Sequence, residues 1–249
     1  VYVVIGGLAF LQAIGQGGKS SDSKGAIQQI IQAPGGVAIL WILAIGLVGY
    51  SAWRLCQALL DADNHGKGFK AVTIRSALFI SAITHLSLAY YAASVATSLV
   101  QSSGGGSGSG SESLVARILG WPGGPYIVGA IGLAIIGAGV AHGIKAFREK
   151  YKKHFAVDAT TMSKLNGVCK FGLFARGIAF AIIGGMFIAA ALSQNPEQAR
   201  GLKEVLNTVA QQAFGPYLLG ILALGLLAFG LYSMIEMLYR EIQKPRFIG

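Results

Sequence analysis

Charge is what this sequence has least of. Asp, Glu, Lys and Arg make up 12% of its 249 residues, about half the share in an ordinary soluble domain. Only ten residues are acidic, and none lies in the middle of a long apolar run; Glu236 stands near the end of one. Proton- and sodium-coupled transporters ordinarily need a carboxylate inside the membrane, so this scarcity argues against coupled transport. Cysteine is nearly absent as well. Cys56 and Cys169 are the whole complement, too few for a disulfide framework or a thiolate metal site. No catalytic triad, metal-ligand spacing or nucleotide fingerprint is present. The Gly-Gly pairs lie within apolar runs and lack the following Lys of a phosphate loop. No catalytic residue, metal or cofactor is therefore expected, and the chain reads as a non-enzyme.

What is there in quantity is apolar length. Hydrophobic residues make up 53% of the chain, and 36 glycines accompany them, as in transmembrane helices. Six runs are predicted as helices: what remains of one at 1–16, then about 35–60, 72–100, 123–148, 168–193 and 215–242. Most approach or exceed the ~20 residues that cross a bilayer, and they are apolar nearly all round. The first covers only about 24 Å at 1.5 Å per residue, so its true start is expected upstream of Val1. The net charge of +10 is a matter of topology. Fifteen of the twenty Lys and Arg fall at one set of helix ends, among them Arg54, Arg75, Lys145 and Arg176. Lys19, Lys24, Arg117, Arg200 and Lys203 fall in the alternate loops. That asymmetry puts both termini in the cytosol by the positive-inside rule and makes acidic lipids, not nucleic acid, the expected partner of the basic side.

Three short amphipathic segments punctuate the outer side. GAIQQIIQAPGG places Ala26, Ile27, Ile30 and Ile31 on one face. SLVARILGWPGGP repeats the pattern, and Leu202, Val205, Leu206 and Val209 form the third apolar face. Each is too short to span and is expected to lie along the surface. A Gly/Ser-rich loop, 102–113, precedes the second. Asn195-Pro196 reads as an N-cap with Pro at the first helical position.

The segments recur. Ile5-Gly6-Gly7 aligns with Ile183-Gly184-Gly185, and Gly36 with Gly215, at offsets of 178 and 179. Pro122-Gly123-Gly124 matches Pro34-Gly35-Gly36, while Arg75 falls opposite Arg176. Repeats of 1–66, 67–155 and 156–249 follow. With two spans each they insert in the same orientation, like repeats related by an axis along the membrane normal. The expected fold is an all-α membrane protein of six transmembrane helices, built as three tandem parallel helical hairpins around a pseudo-threefold axis.

The runs ARGIAFAIIGG at 175–185, RGLKEVLNTVAQQAFGPYLLGILALGLLAFGLY at 200–232 and PGGVAILWILAIGLVGYSAWRLCQALLD at 34–61 resemble the repeat of the bacterial domain-of-unknown-function family DUF1206. The resemblance covers essentially the whole chain, and is best in the first and third repeats. The middle repeat, the Gly/Ser-rich loop and the missing ARG-type lead-in before Val1 depart from the pattern. It implies tandem two-helix repeats in a bacterial inner membrane and no activity.

The candidate positions are few. His85 and His142 would be the ligands of a haem, but the first lies about 15 Å along its helix from Arg75 and the second only about 5–10 Å from its basic end; a histidine hydrogen-bonded inside the bundle is the simpler reading for His85, and an interfacial histidine for His142. Thr84, Ser87, Tyr91, Ser94 and Ser98 are spaced 3, 4, 3 and 4 and line one helix face, as packing groups or as a polar path. Arg54, Arg75 and Arg176 are placed to meet lipid headgroups, and Arg75 and Arg176 alternatively to clamp a helix end. Gly177, Ala181, Gly185 and Ala189 form a small-residue stripe for close helix approach. Two functional readings follow besides an accessory or interaction component of a larger assembly or homo-oligomer: a channel on the pseudo-threefold axis, and a haem-binding redox subunit.

Overall fold

The computed structural model describes residues 1–62, 66, 68–97, 110–149, 151–152, 155 and 159–239, and helices joined by short connections make up nearly all of them. In chain order they are α1 (Tyr2–Ala13), α2 (Ser23–Gln32), α3 (Gly36–Leu60), α4 (Phe69–Ala96), α5 (Gly110–Leu119), α6 (Gly124–Phe147), α7 (Ala159–Ser193), α8 (Leu202–Ala210) and α9 (Gly215–Tyr239), with a 3-10 turn at Pro196–Gln198 before α8. Five of these, α3, α4, α6, α7 and α9, are long and apolar enough to cross a membrane; α1 is a shorter apolar helix of 12 residues.

The helices group into two compact units. Among the described residues, the first takes in 1–22 and 110–239, the second 23–97. In the second, α3 and α4 lie together and α2 rests on both, sealed by Ile27, Leu40, Ala44, Ala92 and Val95. In the first, α7 packs against both α6 and α9, and α1 against α9.

Glycine sets the closest approaches. A Cβ at Gly132 would lie 2.8 Å from the carbonyl oxygen of Gly184, and one at Gly139 2.7 Å from that of Gly177. The two pairs are seven residues apart on each helix and run in opposite senses, so α6 and α7 touch backbone to backbone over two turns. On the α1–α9 contact, Gly6 meets the backbone of Ala223 and Leu227, and Gly230 meets Val3. The small-residue stripe on α7 is thus shifted from its expectation. Gly177 belongs to it, but Gly184 replaces Gly185, which faces open space with Ala181 exposed. Heptad spacing keeps small residues on the facing line of an antiparallel pair better than strict fours, which drift around the helix.

Each of α3, α6 and α9 starts from the same corner. The amide of Gly36 donates to Ala33, that of Gly124 to Trp121 and that of Gly215 to Gln212, at 2.8–2.9 Å. The residue before each glycine is left-handed: Gly35 at φ 74°, Gly123 at 79° and Phe214 at 62°. Glycine takes that conformation without strain, whereas Phe214 carries a steric penalty of about 1–2 kcal/mol.

Two boundaries differ from the sequence reading. α7 begins at Ala159, not near 168, because Met162, Leu165 and Cys169 recur at helical spacing and seat on Tyr151 and Phe155. α5 begins at Gly110, inside the Gly/Ser-rich segment, whose residues 102–109 lie outside the described residues. Asn195 caps the 3-10 turn, accepting from the Glu197 amide at 2.9 Å; α8 instead starts at Gly201, whose amide donates to the Glu204 carboxylate.

Candidate functional site at the polar ends of α6, α7 and α9

Polar side chains gather in the first unit near the C-terminal ends of α6 and α9. Lys145 on α6 donates to the Tyr232 hydroxyl of α9 at 2.6 Å and pairs with Glu236 at 3.5 Å. Tyr232 is buried and stacks edge-on with Tyr151, while Phe155 completes the triangle at 6.1 Å between centroids. Just past α6, Glu149 adopts φ 50°, a left-handed conformation that is uncommon for a residue with a side chain. Its carboxylate holds Lys152 and Lys170 and accepts from Asn166 at 3.2 Å. Three donors on one anion pull the Glu149 carboxyl down to about 2 from its usual value, the Lys152 bond contributing most. Tyr151 donates to Asn166, and burial pushes its phenol above the usual range.

One turn further along the helices, toward the other end, Arg176 of α7 lies against three aromatic rings. Its guanidinium carbon is 4.3 Å from the Phe229 centroid, 4.9 Å from Phe180 and 5.0 Å from Tyr2. His142 of α6 uses two of the same rings, at 5.5 Å from Phe180 and 6.4 Å from Phe229. Its Nδ1–H donates to the Ala138 carbonyl at 2.8 Å, which fixes the tautomer.

The remaining candidates belong to the second unit. His85 donates from Nδ1 to the Ser81 carbonyl at 2.7 Å and tilts against Tyr50 at 4.7 Å. His85 and His142 each rest within the surroundings of their own unit, on a carbonyl of their own helix. Arg54 donates to the Tyr50 hydroxyl and to Gln57. Arg75 donates to the carbonyls of Ala58 and Leu59 at 2.7 and 3.0 Å, so it clamps the C-terminal end of α3, where carbonyls otherwise lack partners.

The hydroxyl stripe of α4 turns inward on its own helix. Thr84 donates to Ile80, Ser87 to Thr84, and Ser94 to Tyr90. Thr84 and Ser87 are exposed, Ser94 is buried, and the Tyr91 hydroxyl accepts from Gln28 of α2 at 3.0 Å. Ser98 lies outside the described residues. Ser87 borders an open groove of about 760 Å³ between α3 and α4 whose other walls, such as Trp41, Ile45, Val48, Leu86 and Tyr90, are apolar or aromatic.

Lys145, Glu149, Tyr151, Asn166, Tyr232 and Glu236 were not candidates on sequence grounds. For Lys145, Tyr232 and Glu236 the signal was spacing: 142 and 145, then 229, 232 and 236, mark single faces of α6 and α9. Among the described residues, no group of three or more His, Cys, Asp or Glu could hold a metal ion.

One family model, Domain of Unknown Function (DUF1206), matches three successive segments, 1–61, 77–149 and 171–240. The chain belongs to the DUF1206 family. The three DUF1206 segments take in α1 with α3, most of α4 with α6, and most of α7 with α9. Among curated proteins the chain is similar to "Uncharacterized protein YxxB" of Bacillus subtilis (strain 168), 32% identical over 248 residues, covering 97% of this chain and 87% of that one. No solved structure matches it. It is a multi-span membrane protein of a family without an assigned activity.

Proposed function

We propose that the chain is a non-enzymatic, six-span component of the bacterial inner membrane, with both termini in the cytosol and its three repeats around a pseudo-threefold axis. It serves as an accessory or interaction component of a larger membrane assembly or homo-oligomer. The observation that carries this reading is how the polar groups of the long helices are spent. Arg75 caps α3, Arg54 braces Tyr50 and Gln57, Lys145 ties α6 to α9, and both histidines bond to their own helices. Side chains that hold helices together are not poised for chemistry. Exposed apolar residues such as Ile42, Ile45, Leu192 and Met237 suit lipid or a partner helix.

The channel reading rests on the α4 stripe, and the return of the Thr84, Ser87 and Ser94 hydroxyls to nearby carbonyls weighs against it. In vesicles, the purified protein is expected to add no ion or small-solute flux. Flux that disappears in the Thr84→Leu/Ser87→Leu double variant would replace the accessory reading with a channel. A Soret band in the same preparation would revive the redox subunit.

A further inference from the structure

Three arginines were candidates for meeting a headgroup, and two of them are spent on the protein. Arg54 and Arg75 donate to side-chain and main-chain oxygens of the second unit. Arg176 differs. Among the described residues it donates no hydrogen bond and enters no ion pair, and its Nε is buried without a partner.

Its surroundings favour the charge without satisfying the donors. The faces of Tyr2, Phe180 and Phe229 attract a cation through their quadrupoles, but a guanidinium has five N–H groups directed in its plane. The acids engaged near this end are already held: Glu236 by Lys145, and Glu149 by Lys152 and Lys170. Simple snorkelling into water fits poorly, because three rings from three helices hold the group in place. Counting 17 residues back from Ser193, Arg176 sits about 25 Å along α7, close to the inner edge of a ~30 Å hydrocarbon layer. The side chain is only half-buried, so its outer edge is open.

We propose that Arg176 is the anchoring point for a phosphate-type oxyanion, which its planar donors bind as a pair while the three rings hold the cation in register. The chemistry is shared by an acidic lipid headgroup and by free inorganic phosphate. The inference rests on the membrane reading above and not on the accessory role.

The test uses the full chain in neutral detergent, with native mass spectrometry after addition of phosphatidylglycerol, phosphatidylcholine or inorganic phosphate. The wild-type protein is expected to retain phosphatidylglycerol over phosphatidylcholine. Arg176→Gln should lose that preference about tenfold, the worth of a charge-assisted bond, and Arg54→Gln should keep it. If inorganic phosphate binds alone and displaces the lipid, the site stands with the free anion as its ligand. Equal retention of the two lipids by wild type, without phosphate binding, overturns the proposal. So does an Arg176→Gln protein of unchanged helicity that keeps the preference. Should that variant fail to fold, Arg176→Lys decides: it keeps the charge but not the planar donors, so reduced retention supports the proposal and unchanged retention sinks it. Solute flux in vesicles would remove the accessory role and leave this result untouched.

Discussion

Glu149 is the residue on which the end of α6 turns. Its left-handed backbone is compensated by bonds to Lys152, Lys170 and Asn166, and the same bonds depress its carboxyl to about 2. A carboxyl whose folded value lies below its unfolded one, about 4.3, stabilises the fold above that unfolded value. The contribution is lost as pH falls toward about 2. The resistance of the purified protein to thermal unfolding should therefore fall between pH 5 and pH 2 (approximate bounds from those two values), and the Glu149→Gln variant should lack that part of the decline. Equal pH profiles would show that the network adds nothing. Glu149 was not legible in the sequence, where it sat among FREKYKKH as one acid in a basic stretch. Only the fold reveals that Lys170 and Asn166, from the next helix, converge on it. Arg75 was legible in kind, since a helix-end clamp was among its expected roles; the carbonyls it serves belong to α3, which no spacing argument identifies.

At the scale of elements, the glycines decide which helices touch. Leucine at Gly132 or Gly184 would meet the facing backbone within 3 Å, and the over-packing should cost about 1–3 kcal/mol or more. Gly185→Ala, where nothing lies within 4 Å, should be neutral or stabilising by up to about 1 kcal/mol through helix propensity alone. Unfolding of the three variants in detergent checks both. A destabilised Gly185→Ala beside an unaffected Gly184→Leu would mean that the other stripe is the contact. The sequence carried the existence of the long helices and of the Gly corners, because hydropathy and Pro-Gly punctuation are local. It could not carry the choice between Gly184 and Gly185, adjacent residues that differ by about 100° around the helix. That choice depends on where the partner helix lies.

For the whole molecule, the charge asymmetry and the three family segments bear on one question, which end of each helix faces the cytosol. In a Cys56→Ser background, where Cys169 is buried, single cysteines at Gln212 and Arg148 report the two sides. A membrane-impermeant maleimide should label Gln212→Cys in intact spheroplasts and Arg148→Cys only after permeabilisation. The reverse pattern would invert the topology. On this question the sequence speaks without any contact, since positive residues are simply counted. The pairing of helices cannot be counted in that way. α6 joins α7, and α9 joins α1, so close contacts cross from one repeat to another as well as staying within the third.

That last pairing has a consequence for biosynthesis. α1 ends at Ala13 and α9 begins at Gly215, so α1 leaves the ribosome about 200 residues before its partner exists (the separation of those two bounds). At about 5–20 residues per second, that is roughly 10–40 s with Gly6 and its neighbours facing lipid or an insertion factor instead of α9. Repeats that share helices across their boundaries cannot be completed one at a time; the packing of α1 is finished only when α9 arrives.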